Sequence, residues 1–188
     1  MAQRPPRPLP QDVLHKRLVE TDECQKDDVS KALMRAALNA GIGIKPLQVM
    51  RIFQVDKSQV PGLQQDIIRI ERGDQWKGYN HIMLQHSEQL RGRGFIEARL
   101  LELLEAALRI GIISGVQSKN PSRNWQWNRP IYVLSFDGDL VAVAITVTSV
   151  GYVVGMNLSG VRDALHRLNM SKEELKRKAS WPVPSSFR

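Results

Sequence analysis

The apolar residues of this chain change their period at Gly111, and that change constrains the fold more than any other feature of the sequence. Before Gly111 they recur every three or four residues, the spacing of one helix face. After it they fall into short runs of Val, Ile, Tyr and Phe separated by turn pairs. Helices that precede strands, instead of alternating with them, point to the α+β class. The sequence therefore predicts an N-terminal helical subdomain followed by helices packed on a small antiparallel β-meander.

Gln11 to Glu20 has helical spacing, as does Asp27 to Ala40, which opens on Asp27 and Asp28 and ends before Gly41. Pro46 suits the first turn of a third helix reaching about Gln54. A fourth is expected from Pro61, with Leu63, Ile67, Ile68 and Ile70 inside it. Residues 11–73 thus read as a helical subdomain behind a flexible, proline-rich lead-in over residues 1–10. Trp76 to Leu90 forms the next expected helix, broken by Arg91-Gly92-Arg93-Gly94. Phe95 to Ile110 follows with the stripe Ile96, Leu100, Leu103, Leu104, Ala107 and Leu108. Past Gly111, strands are expected at Asn124–Trp127, Ile131–Phe136, Leu140–Thr148 and Tyr152–Met156. Asp137-Gly138 is a two-residue hairpin turn, and Ser149-Val150-Gly151 a second tight connection. Val161–Leu168 and Ser171–Lys178 are short helices, Ser171 and Glu174 forming a capping box. Residues 74–180 then make an α+β domain, and 181–188 a loose tail.

The net charge of +8 favours polyanionic partners, among which nucleic acid is the commonest. Cys24 is the single cysteine, which excludes an intramolecular disulfide and a cysteine-based zinc site. The apolar run Leu140–Val147 is far shorter than the roughly 20 residues of a spanning helix, and Met1–Pro10 lacks the apolar segment of a secretory signal. No membrane span is expected, and the chain is expected in the cytoplasm.

Two of the four histidines, His81 and His86, stand five positions apart. Five residues turn a helix through about 500°, leaving the two side chains roughly 140° apart, a poorer shared face than the i, i+4 pair of zinc helices. A dedicated metal helix is therefore disfavoured, and no cofactor is expected. With His81 at the helix entrance and His86 a turn inside, both rings could flank one pocket as general base and acid. The bland alternative is one capping and one surface histidine.

A histidine-bearing helix, a second apolar helix and a strand meander with Gly151-Tyr152 opening the last strand resemble nucleases of the barnase, EndoU and RelE-like superfamily. The phage and polymorphic-toxin branches are the most similar, and the resemblance covers residues 76–160. It implies a metal-independent endoribonuclease in which one histidine takes a proton from a ribose 2′-OH and the other protonates the departing 5′-oxygen. It assigns the paired histidines to His81 and His86, and the polar residue and aromatic near the last strands to Ser149 and Tyr152. The basic residue that completes such sites could be Arg91, Arg93, Arg123 or Arg129, with Arg123 favoured because it precedes a strand. It further implies RNA as substrate, delivery into a target or host cell, and a cognate inhibitor or partner protein.

Trp125, Trp127 and Tyr132 lie near Lys119, Arg123 and Arg129, a mixture of rings and charges that suits single-stranded nucleic acid. Alternating aromatics in a strand equally suit sheet packing. Two other functions fit the sequence. One is a non-enzymatic nucleic-acid binder using residues 27–55 as a helix-turn-helix, with Lys31, Arg35, Lys45 and Arg51 as basic positions. The other is a structural or adaptor protein without catalysis.

Overall fold

The computed structural model describes residues 27–95, 97–117 and 129–181. The helix expected at Gln11–Glu20, the strand at Asn124–Trp127 and residues 182–188 lie outside them. The chain divides into two compact units, Met1–Leu47 and Gln48–Arg188.

In the first unit, helix α1 spans Asp28–Asn39. The Asp27 carboxylate accepts a hydrogen bond from the backbone N–H of Ser30 at 2.7 Å, satisfying a donor that the first turn would leave unpaired. At the other end Gly41 N–H donates to the Leu38 carbonyl and Ile42 N–H to that of Ala37, the Schellman pattern. Both ends of this helix are where the sequence places them.

The third and fourth expected helices are corrected by the structure. Pro46–Gln48 is a single 3₁₀ turn, and the residues expected to continue it as a helix form strand β1, Val49–Gln54. The fourth expected helix is strand β2, Ile67–Glu71, paired antiparallel with β1. Ile67, Ile68 and Ile70 are buried there. A short apolar run rich in β-branched residues loses less χ1 freedom in a strand than in a helix, and pairing buries both runs. A hairpin thus stands inside the region expected to be helical. The supposed recognition element of the helix-turn-helix is strand β1, so that motif is not formed.

Helix α2 spans Tyr79–Arg91 and helix α3 Glu97–Ile110, within a few residues of expectation. Leu100, Leu103, Leu104, Ala107 and Leu108 of α3 are fully buried and pack toward strand β4. The meander comprises β3 (Ile112–Gln117), β4 (Arg129–Phe136), β5 (Asp139–Val147) and β6 (Val153–Leu158), in that order and antiparallel throughout. Strand β3 lies in a stretch to which the sequence pattern assigned no element. Asp137 and Gly138 both have positive φ, 54° and 84°, the combination a type I′ hairpin turn requires. From Ile131 to Phe136, β4 is buried at every position, so both of its faces are covered.

Helices α4 (Val161–Leu168) and α5 (Lys172–Lys178) follow, and Ser171 caps α5 by accepting from Glu174 N–H at 3.1 Å. Trp181, expected to begin a loose tail, instead pairs with Phe136 in the short parallel strand β7 (Ser180–Trp181), and its indole N–H donates to Glu102. The α+β class expected from sequence is the class of the fold. Among the described residues no helix is long and apolar enough to cross a membrane.

Candidate active site

Strand β6 is where His81 meets the sheet. Gly78 N–H donates to the Val154 carbonyl at 2.9 Å, and Asn80 N–H to that of Arg72, so the first turn of α2 is bonded to the edge of the meander. Gly78 has φ +83°, and a side chain there would collide with the Glu71 carbonyl and the Tyr152 hydroxyl, each 2.7 Å from where its Cβ would stand. This start point fixes His81, three residues on.

His81 is held at both edges of its ring. Its Nδ1 lies 2.8 Å from the Gln75 carbonyl oxygen. A carbonyl only accepts, so Nδ1 carries the proton, and in the neutral ring Nε2 keeps the lone pair. The Nε2 edge lies over Gly155 of β6, where a Cβ would stand 3.3 Å from Cδ2 and 3.6 Å from Nε2.

The strand register assembles the rest. Asn157 of β6 stands opposite Ala144, and Ala144 opposite Ile131. Arg129, two residues before Ile131, shares its face of the sheet. Its Nη1 donates to Asn157 Oδ1 at 2.8 Å, while Asn157 Nδ2 donates to Gln117 Oε1 at 2.6 Å. The guanidinium and the amide therefore orient each other across the sheet. Thr146, opposite Gly155, has a buried hydroxyl with no hydrogen-bond partner among the described residues.

A cavity of about 760 Å³ opens over these groups, lined by His81, His86, Arg129, Asn157, Gln117 and further residues of α2 and β6. The cavity follows α2 from His81 to Gln89, so both histidines border it. Glu88 is the carboxylate in this lining. Chemically the hollow offers an imidazole with a free basic nitrogen, a second imidazole, an oriented guanidinium and amide donors. Among the described residues no group of three His, Cys, Asp or Glu side chains converges as a metal ion would need.

Of the residues singled out from sequence, His81, His86 and Arg129 line this one cavity. Arg91 lines an adjoining hollow of about 530 Å³ with Asp74, Gln75, Asn80, Met83, Leu84 and Ser87. Arg93 is exposed in the turn after α2. Arg123, Trp125 and Trp127 lie outside the described residues. Ser149 and Tyr152 do not line the cavity. The Ser149 carbonyl accepts from Gln64 N–H in the turn between β5 and β6. Tyr152 is buried beside Arg69, whose guanidinium carbon is 5.4 Å from its ring centroid, with Lys77 Nζ at 5.7 Å. Burial, with the Glu71 and Asp74 carboxylates nearby, pushes its phenol up to about 12. Tyr152 is therefore a protonated support beneath Gly78, outside the cavity. Asn157, Gln117 and Gly155 were not found from sequence; the one signal was a glycine and an asparagine two apart in an otherwise apolar strand.

No family model matches the chain, and no curated protein sequence matches it significantly.

Proposed function

We propose that this protein is a metal-independent endoribonuclease that cleaves RNA by transesterification at the cavity between α2 and the meander. The observation that carries the proposal is the joint lining of that cavity by His81, His86 and Arg129. His81, with Nδ1 tethered to the Gln75 carbonyl, presents Nε2 as general base. It takes the proton of a ribose 2′-OH as that oxygen bonds to the adjacent phosphorus. The bond from phosphorus to the 5′-oxygen breaks, and His86 in its protonated form gives that oxygen a proton. The products are a 2′,3′-cyclic phosphate and a 5′-hydroxyl. Arg129, braced by Asn157, offsets the charge that grows on the phosphoryl oxygens. DNA lacks the nucleophile and is not a substrate in this scheme. The chain's net charge of +8 supports a polyanionic substrate. The order of a histidine-bearing helix, a second helix and a four-stranded antiparallel meander supports the resemblance to barnase, EndoU and RelE-like nucleases.

The test is incubation of wild-type protein and the His81→Ala/His86→Ala variant with mixed cellular RNA in EDTA, followed by end-group analysis. Cyclic-phosphate ends made by wild type alone are expected. Equal cutting by both proteins, or intact RNA with both, overturns the assignment.

A further inference from the structure

Trp76 is 73 % exposed, while every other described aromatic side chain is buried or half-buried. An indole in water forgoes the stabilisation its burial would bring, yet the loop that carries Trp76 is not loosely held. The Asp74 carboxylate accepts from the backbone N–H of Trp76 at 2.8 Å and of Lys77 at 3.2 Å. Asp74 N–H donates to the Lys77 carbonyl at 2.9 Å, closing the loop on itself. Gln75, the residue before the indole, is the one whose carbonyl holds His81. The exposed ring is thus presented by an ordered turn bonded directly to the candidate general base.

The surface beside its loop, at Asp74 and Gln75, is continuous with the candidate site. The hollow lined by Asp74, Gln75, Leu84, Ser87 and Arg91 shares Leu84 and Ser87 with the cavity that holds the histidines. Leu84 is 67 % exposed on the ridge between them. Along that strip lie Gln75, the chain neighbour of Trp76, then the aliphatic ridge of Leu84, a guanidinium from Arg91 and the imidazoles. Asp74 is acidic, but its carboxylate is engaged by the two backbone donors.

We propose that Trp76 is a stacking platform for one unpaired base of a single-stranded RNA whose scissile phosphate lies at His81 and His86. The proposal rests on the ribonuclease reading for the position of the phosphate. Every base offers a π-face, so the platform supplies affinity for unpaired RNA without selecting a sequence. A duplex, with its bases stacked internally, offers no such face.

The test uses the full chain and compares wild type, Trp76→Ala and Trp76→Phe on a single-stranded oligoribonucleotide and on a dinucleotide too short to reach the loop. Affinity is measured in parallel with a 2′-O-methylated oligonucleotide that lacks the free hydroxyl. Loss of one stacked base is expected to weaken binding and raise KM on the long substrate by about 5- to 100-fold. Turnover of the dinucleotide and kcat should stay within about two-fold, and Trp76→Phe should recover much of the affinity. Trp76→Ala with unchanged KM and unchanged affinity overturns the platform while leaving the nuclease standing, and would make the indole a contact for a protein. A wild-type protein that binds the methylated strand through Trp76 yet cuts no RNA overturns the nuclease and leaves the stacking contact. Failure of wild type to bind or cut overturns both.

Discussion

The imidazole of His81 rests on the bare α-carbon of Gly155, so close that a methyl group there would stand 3.3 Å from Cδ2. Gly155 lies in β6 with ordinary strand backbone, so an alanine strains only the ring above it. Gly155→Ala is expected to change stability by less than about 1 kcal/mol and to lower kcat on RNA about tenfold, because the base is displaced by a fraction of an ångström. Gly155→Val should cost more activity than alanine. Steady-state kinetics beside a urea unfolding curve would check both, and full activity in the valine variant would remove His81 from the reaction.

Arg129 and Asn157 define a second dependence. Arg129→Ala should lower kcat by about 10²- to 10³-fold, the usual consequence of losing a charged donor aimed at a developing oxyanion. Asn157→Ala leaves the charge but releases its orientation, since Asn157 Oδ1 accepts from Arg129 and Asn157 Nδ2 reaches Gln117. A smaller loss of about tenfold is expected. In the double variant the two losses should not add, because the second acts through the first. Additive losses measured in the four-protein cycle would mean that Asn157 serves the reaction independently.

Much of this fold could be read from sequence, and the divide between what was and was not legible has a physical basis. Helix α1 carries its own punctuation in Asp27 and Gly41, the β4–β5 turn in Asp137-Gly138, and α5 in Ser171, so each signal sits beside the element it ends. Strands β1 and β2 carry no such marks. Ile67, Ile68 and Ile70 suit either period until pairing with β1 decides between them. The candidate site divides the same way. His81 and His86 announce themselves by residue type and neighbourhood. Arg129, Asn157 and Gln117 meet only because of strand register, and their separation in sequence conceals it.

The buried pair Arg69 and Glu71, each 5 % exposed, links β2 to the turn that opens β6. Arg69 Nε donates to Glu71 Oε1 at 2.9 Å, and Arg69 Nη1 donates to the Val150 carbonyl at 2.6 Å. Glu71→Ala removes the carboxylate that faces a buried guanidinium, which keeps its bond to the Val150 carbonyl, and is expected to destabilise the protein by about 3–5 kcal/mol. Replacing both, as Arg69→Met/Glu71→Leu, should recover most of that loss, since no unpaired charge remains and the Val150 carbonyl still accepts from Gln65. Urea denaturation of the two variants is the measurement. A Glu71→Ala variant within about 1 kcal/mol of wild type would show that water or a shifted side chain already serves Arg69.

Tyr152 gives the chain an alkaline signature. Burial raises its phenol from 10.0 to about 12, the Glu71 and Asp74 carboxylates act in the same direction, and Arg69 opposes them. Tyr132, more deeply buried, is raised further. A phenol that holds its proton more tightly folded than unfolded contributes stability that is complete below pH 10 and is lost as pH rises through 12, where the unfolded chain ionises first. Ultraviolet titration should therefore show a phenolate step near pH 12 that Tyr152→Phe lacks. The Phe variant should also lose less stability than wild type between pH 10 and 12. At neutral pH the same change should be nearly neutral, because the hydroxyl it removes is buried without a hydrogen-bond partner among the described residues. Ionisation of all three tyrosines together near pH 10 in the folded protein would contradict this placement of Tyr152 between β2, α2 and β6.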